Sequence, residues 1–491
     1  MYTFTPKARM MSIILIVIGV VALGTGFMGS GSHHSDEEVK HHVEDAANGL
    51  RLNLHKVYSD QEVAMFNEHH AEEAAKGPHG HGHFTGMYAN LFEAVSHEMG
   101  THYAENEMLE ANSVESVVKA TIHYYHAKAN RPWSALMIGN FFFLAIALGA
   151  VCFYALQYAT QSGWSAALLR VPQAMGQYLW IGGGVMLLII VMGMMHKHHL
   201  YHWMEDGITD PAAPNYDPII AGKSGYLNGP FFLIRAVIYL VGWIGLAYSF
   251  KKFSIKEDKE GGTKWYTKAF KRSAIFLVFF AVTSSMMAWD WIMSIDPHWF
   301  STLFGWFIFS GLWVSCITVI CFFTIYLKKK GVLNIVNENH MHDFGRLMLS
   351  FSNFWMYLWF AQFMLIWYAN IPEEVTYYMI RFQEYKVPFI GALVLNWGVP
   401  IIFLMSRNSK RSMGKLMFAG MFMLIGHFVN VCVLVLPGTV GAHWDIGFVE
   451  IGTFLGFAGI FIFVTLRAIS KLPVVQENHP MLEESKQLHV Q

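Results

Sequence analysis

The sequence predicts an all-α polytopic membrane protein with about ten transmembrane helices, and three observations predict it. First, 54% of the 491 residues are hydrophobic and only 14% are charged. A soluble domain carries about 25% charged residues, and so few charges cannot cover a globule of this size. Second, the apolar excess is gathered into blocks of roughly the length that crosses a hydrocarbon core. Third, Trp or Tyr stands at many block ends, among them Trp133, Trp164, Tyr201 and Trp444, where interfacial anchors belong. Each block is expected to be helical, because an unsatisfied backbone group in lipid costs several kcal/mol.

In chain order the blocks are 10–28, 134–158, 174–195, 230–250, 273–293, 302–327, 346–370, 387–406, 414–436 and 447–468. The first follows Lys7 and Arg9 and precedes small residues, as a signal peptide would. Its length and the lack of an A-x-A site favour a retained helix over 1–28. Gly182-Gly183-Gly184 and Pro400 are expected to interrupt the third and eighth blocks.

Basic residues orient the spans. With the N-terminus in the cytoplasm, the cytoplasmic segments hold 22 Lys and Arg, including eight between Lys251 and Arg272. The short loops on the other side hold only Lys197, Lys223, Arg381 and Lys386. This bias predicts that both termini, including the tail 469–491, are cytoplasmic. The segment 29–133 is then external. It holds 14 of the 25 histidines and a low-complexity run, Gly77-Pro78-His79-Gly80-His81-Gly82-His83. No fixed Cys/His ligand spacing appears, so a solvated or partner-covering arm is preferred to a metal site. The stretch from Tyr88 to Met99 reads as an amphipathic helix.

The net charge is −1, and the chain shows no sign of nucleic-acid binding. The four cysteines, Cys152, Cys316, Cys321 and Cys432, all fall inside apolar blocks. They form no C-x-x-C pair and suggest neither disulfides, an iron–sulfur cluster nor a c-type haem.

An ionisable group at membrane depth is costly and marks a functional hypothesis. Arg235 and Asp290 are expected to pair between the fourth and fifth spans, either as a clamp or in a functional role. Glu450, one turn into the tenth span, and His427, mid-way in the ninth, are candidates for a proton path; for His427 an interhelical hydrogen bond is the plainer alternative. His196, His199 and His202 recur every three residues, and on a continuing helix they would share one face. They could ligate a metal, bond a quinone carbonyl or relay protons, with an interfacial polar cap as the plainer reading. Only His427 is deep, so a bis-His haem is not expected. No phosphate loop, dinucleotide fingerprint or nucleophile motif occurs. The chain is therefore expected to carry no redox centre of its own; in electron transfer it would either hold a quinone, with menaquinone as the candidate, or support subunits that carry the cofactors.

Two stretches, Gly225-Tyr226-Leu227-Asn228-Gly229-Pro230-Phe231-Phe232-Leu233-Ile234-Arg235 and Trp289-Asp290-Trp291-Ile292-Met293-Ser294-Ile295-Asp296-Pro297-His298-Trp299-Phe300, resemble one family. So does the start Met1-Tyr2-Thr3-Phe4, followed by one span and a His-rich external arm. The family is the second quinone-binding-type membrane subunit of alternative complex III, a quinol:cytochrome c oxidoreductase of the bacterial inner membrane, related to NrfD and polysulfide-reductase membrane subunits. The resemblance implies two four-helix bundles, 134–293 and 302–436, with the helices 1–28 and 447–468 outside them. It also implies a sister NrfD-like subunit, an iron–sulfur protein and c-type cytochromes as partners, with a terminal oxidase as a further candidate. Haem and iron–sulfur clusters would then sit in those partners, and the quinol site in the sister subunit. The alternatives are a purely structural anchor and an independent secondary transporter, which would show matched helix breaks in two halves.

Overall fold

The computed structural model describes residues 2–30, 36–74, 87–99, 101–103, 108–109, 111–213 and 215–488. Among these residues there is no β-strand, and nine helices are long and apolar enough to cross a membrane. The protein is an all-α polytopic membrane protein.

The principal helices are α1 (Pro6–Gly29), α2 (Asp36–Gly49), α3 (Asp60–Ala74), α4 (Ala89–Met99), α5 (Val114–Ala159), α6 (Leu179–Met194), α7 (Gly229–Glu260), α8 (Lys264–Trp291), α9 (Phe304–Lys329), α10 (Glu338–Ala369), α11 (Pro372–Gln383), α12 (Lys386–Leu404), α13 (Met413–Val435) and α14 (Phe448–Ile469). The seventh expected span lies in α10. Its 32 residues are ample to cross a bilayer, but it is not one of the nine. Asn353, Gln362 and several Trp and Tyr dilute its apolar character.

Caps set several of the boundaries. Asn228 accepts from the Phe231 amide at 3.0 Å and opens α7, with Pro230 in its first turn. Gly261 and Gly262, at φ 64° and 71°, close it. Asn337 opens α10 with a reciprocal cap: its carbonyl oxygen accepts from the His340 amide, and the His340 ring accepts from the Asn337 amide. Asn370, at φ 48°, ends α10 in the left-handed conformation.

The chain divides into two compact units. One comprises 1–24, 133–438 and 446–491; the other comprises 25–132 and 439–445. The second unit corrects the picture of a merely solvated arm. Val39, Val43 and Ala47 on α2 pack with Leu91, Phe92 and Val95 on α4 and with Val114 and Val117 on α5 in one buried cluster. The i, i+4 spacing on α2 supplies the face. The run Gly77–His83 lies outside the described residues.

Within the first unit, α1 crosses α14 through small side chains. A Cβ on Gly456 would sit 2.6 Å from the Gly19 Cα, and one on Gly452 would sit 2.3 Å from the Ala22 Cβ. Such contacts let backbones approach closely in lipid. Of the two expected helix breaks, one needs correction. Gly182-Gly183-Gly184 do not break α6, which runs unbroken from Leu179. They admit neighbours instead: Asn140 donates to the Gly182 carbonyl at 3.0 Å, and Leu240 packs on Gly183. Pro400 does mark an irregularity. It has no N–H to bond back to Asn396, and α12 widens to a π-helical turn over Val394–Gly398.

Candidate functional site

The two stretches that carry the family resemblance meet in space. Arg235 on α7 and Asp290 on α8 form the expected pair. The guanidinium donates through Nε to Oδ2 at 2.9 Å and through Nη2 to Oδ1 at 3.0 Å. Nη1 donates to the Tyr226 carbonyl at 2.9 Å, and the Tyr239 hydroxyl donates to Oδ2 at 2.9 Å. The rings of Tyr226 and Phe231 cover the guanidinium at 3.9 and 4.3 Å. Both side chains are buried. Each charge is thus met by its opposite in bidentate geometry.

The histidine turn lies beside this clamp: the Tyr201 hydroxyl donates to the Trp291 carbonyl at 3.1 Å. It does not have the expected form. The helix ends at Met194 and His196 takes φ 52°, so His196, His199 and His202 do not share a helix face. His196 lies 3.6 Å from Asp206, while His199 and His202 flank Glu205 at 4.0 and 2.9 Å. The contact with Glu205 raises the His202 pKa above its ordinary value. Sequence reasoning passed over the buried histidine of the turn, His198. It bonds to the Ile189 carbonyl and the Leu200 amide, and burial pushes its pKa down to about 4. Among the described residues, no group of three or more His, Cys, Asp or Glu is placed to hold a metal ion.

The second cluster is different in kind. His427 on α13 is buried, and neither ring nitrogen has a hydrogen-bond partner. The expected interhelical hydrogen bond is therefore not formed. Trp355 on α10 meets the ring edge-on at 5.4 Å. His427 faces a cavity of about 30 Å³ shared with Ser315 and Asn430. Asn430 also lines a second cavity, of about 20 Å³, with Gln362, Tyr377 and Arg381. Volumes of this size hold one or two waters. Gln362 Oε1, Arg381 Nε and both polar atoms of Asn396 are buried without partners. Arg381 donates to the Tyr377 carbonyl at 2.6 Å, stacks 3.4 Å above its ring and acts electrostatically on Asp296. Burial raises the Asp296 pKa above the ordinary value, against the opposing pull of Arg381, His298 and Lys223. A line of polar groups therefore leads from Asp296 past Arg381, Gln362 and Asn430 to His427.

Glu450 is not on this line. It is buried at the start of α14 and accepts from the Gly447 amide at 2.9 Å, as a helix cap. It does not line the cavity at His427.

A third buried group, Glu257, was not singled out from sequence. It lies near the end of α7, far along the helix from Arg235, and is fully buried. Oε2 accepts from the Tyr158 hydroxyl at 3.2 Å and from Gln476 at 3.0 Å, while Oε1 has no partner. The neighbouring Arg170 bonds to Asp258 instead. Among the described residues, only neutral donors hydrogen-bond the Glu257 carboxyl.

A quinone head group does not fit these sites. The cavities at His427 and Gln362 have room for water only. A larger space of about 460 Å³ between α1, α5, α9, α13 and α14 is almost wholly apolar. The hydroxyls on its lining, Ser12 and Tyr326, are already engaged by the Ala8 carbonyl and by Tyr2.

No protein-family model matches the chain, and no curated protein matches it.

Proposed function

We propose that this chain is the NrfD-like membrane subunit of an alternative complex III, a quinol:cytochrome c oxidoreductase of the bacterial inner membrane, and that it supplies a proton half-channel rather than a redox centre. The observation that carries the proton role is the buried, unpartnered His427 at the inner end of the polar line from Asp296. A ring nitrogen with no protein partner, beside room for water, can take up and release a proton without breaking a structural bond. The identity rests on the resemblance of 225–235 and 289–300. In this reading both termini are cytoplasmic, the arm is periplasmic, and quinol is oxidised in the sister subunit. Haem and iron–sulfur clusters belong to the cytochrome and iron–sulfur partners.

The test uses the intact complex in vesicles. His427→Phe and Gln362→Leu should lower protons moved per electron while quinol:cytochrome c turnover with an uncoupler persists. Unchanged stoichiometry in both variants would leave a structural anchor, a role that the bidentate Arg235–Asp290 clamp favours. Purification of the chain alone, without multihaem cytochrome, would favour the transporter reading.

A further inference from the structure

The 460 Å³ space is too large and too apolar for the use made of the smaller cavities. Water needs two or more polar partners, and the lining offers almost none. Its walls include Phe142 of α5, Phe323 of α9, Phe428 of α13 and Phe461 of α14. The space opens sideways: Met11 of α1 and Met421 and Ile425 of α13 line it and are 60%, 52% and 45% exposed. In a bilayer, those side chains face lipid tails. A space of about 460 Å³ with this lining suits an aliphatic chain.

At one end of the space, basic residues stand near the termini of the helices that line it. Ala8, Tyr326 and Leu466 line that end. Arg9 and Arg467 follow the first and last of them directly and are exposed. The Lys330 ammonium lies 5.8 Å from the centre of the Tyr326 ring. No Asp or Glu occurs in 1–35, 304–337 or 451–476, the stretches that contain α1, α9 and all but the first turn of α14. A neutral ligand would gain nothing from this arrangement, whereas a phosphodiester would.

We propose that this space is a built site for one anionic glycerophospholipid. An acyl chain enters between α1 and α13 and fills the phenylalanine-lined space. The phosphate and the acidic headgroup meet Arg9, Lys330 and Arg467. The bound lipid also fills the gap behind α1, which the small-residue crossing with α14 fixes along one side only.

The test is native mass spectrometry of the purified full chain after detergent washing, with dioleoyl phosphatidylglycerol, dioleoyl phosphatidylcholine or menaquinone-4 added back. One phosphatidylglycerol should be retained, with a preference over phosphatidylcholine on the order of tenfold. The triple variant Arg9→Gln, Lys330→Gln, Arg467→Gln should lose the preference. Ala458→Phe, which fills the space, should lose retention itself; Ala458→Leu serves if the larger side chain prevents folding. Equal retention of both phospholipids in the unaltered chain and every variant would overturn the proposal in favour of annular lipid. Retention of menaquinone-4 in place of phosphatidylglycerol would overturn it in favour of a quinone-tail site.

Discussion

Arg235–Asp290 and His427 are both buried polar features between membrane helices, yet the protein treats them in opposite ways. At Arg235–Asp290, two opposite charges share two hydrogen bonds, and the tyrosine hydroxyl and the Tyr226 carbonyl take remaining capacity. At His427, Asn396 and Gln362, polar atoms are buried with nothing to bond. Burying a polar group without a partner costs about 1–3 kcal/mol by mutational measures. The clamp compensates the burial of its charges within the protein, whereas the groups around His427 leave that compensation to water. Glu257 falls between the two, as a carboxyl held by neutral donors with one oxygen free.

Substitutions can break this comparison. The largest effect is expected at the clamp: Asp290→Ala strands a buried guanidinium and should cost about 3–5 kcal/mol in reversible unfolding, whereas the double variant Arg235→Met, Asp290→Leu should recover most of that loss. Equal losses in the single and double variants would show that packing, not charge, dominates there. Next, the two acids should answer differently to the same change. Asp290→Asn should be strongly destabilising, because Arg235 loses its counter-charge, while Glu257→Gln should stay within about 1 kcal/mol because its donors are neutral. In contrast to both, His427→Leu should cost no stability and should leave it unchanged or raise it, since no direct hydrogen bond is lost and a buried unpartnered polar group is removed.

The smallest effect sits in the histidine turn. Glu205 raises the His202 pKa, so the stabilisation of the pair is fully present below about 6.5, the ordinary histidine value, and is lost as pH rises through the higher folded value. Amide exchange of residues 196–206 should therefore speed up from pH 6 to pH 8.5 beyond its intrinsic increase, and Glu205→Gln should remove that excess. Burial lowers the His198 pKa to about 4, so His198 contributes with the opposite sign, losing stability as pH falls below about 6.5, and the comparison with Glu205→Gln cancels that contribution.

Much of the fold was legible because bilayer crossing depends on local composition: block lengths and anchors place the spans without any tertiary information. The span in α10 shows the limit. Its Trp, Tyr, Asn353 and Gln362 lower its apolar character, although Gln362 turns out to line a cavity with Arg381. The Arg235–Asp290 pair was legible because two opposite charges stood at similar depth in consecutive spans. Glu257 was not, because it sits in the charged run Lys251–Glu260, and Gln476, which holds it, is far away in sequence. Arg381 was read as a loop cation because nothing local reveals that Tyr377 will bury it. The histidine turn misled for a backbone reason: three-residue spacing implies a common face only while a helix continues, and here it stops at Met194.

The central claim is that water takes the place of the missing partners of His427. Water-edited solid-state NMR of the full chain in bilayers, with ¹⁵N-labelled histidine, tests it most directly; the His427 signal is assigned by its loss in His427→Phe. The account predicts rapid polarisation transfer from water to the His427 ring, weakened in Asn430→Leu. A ring that receives no transfer, while the exposed histidines of the turn do, would contradict it.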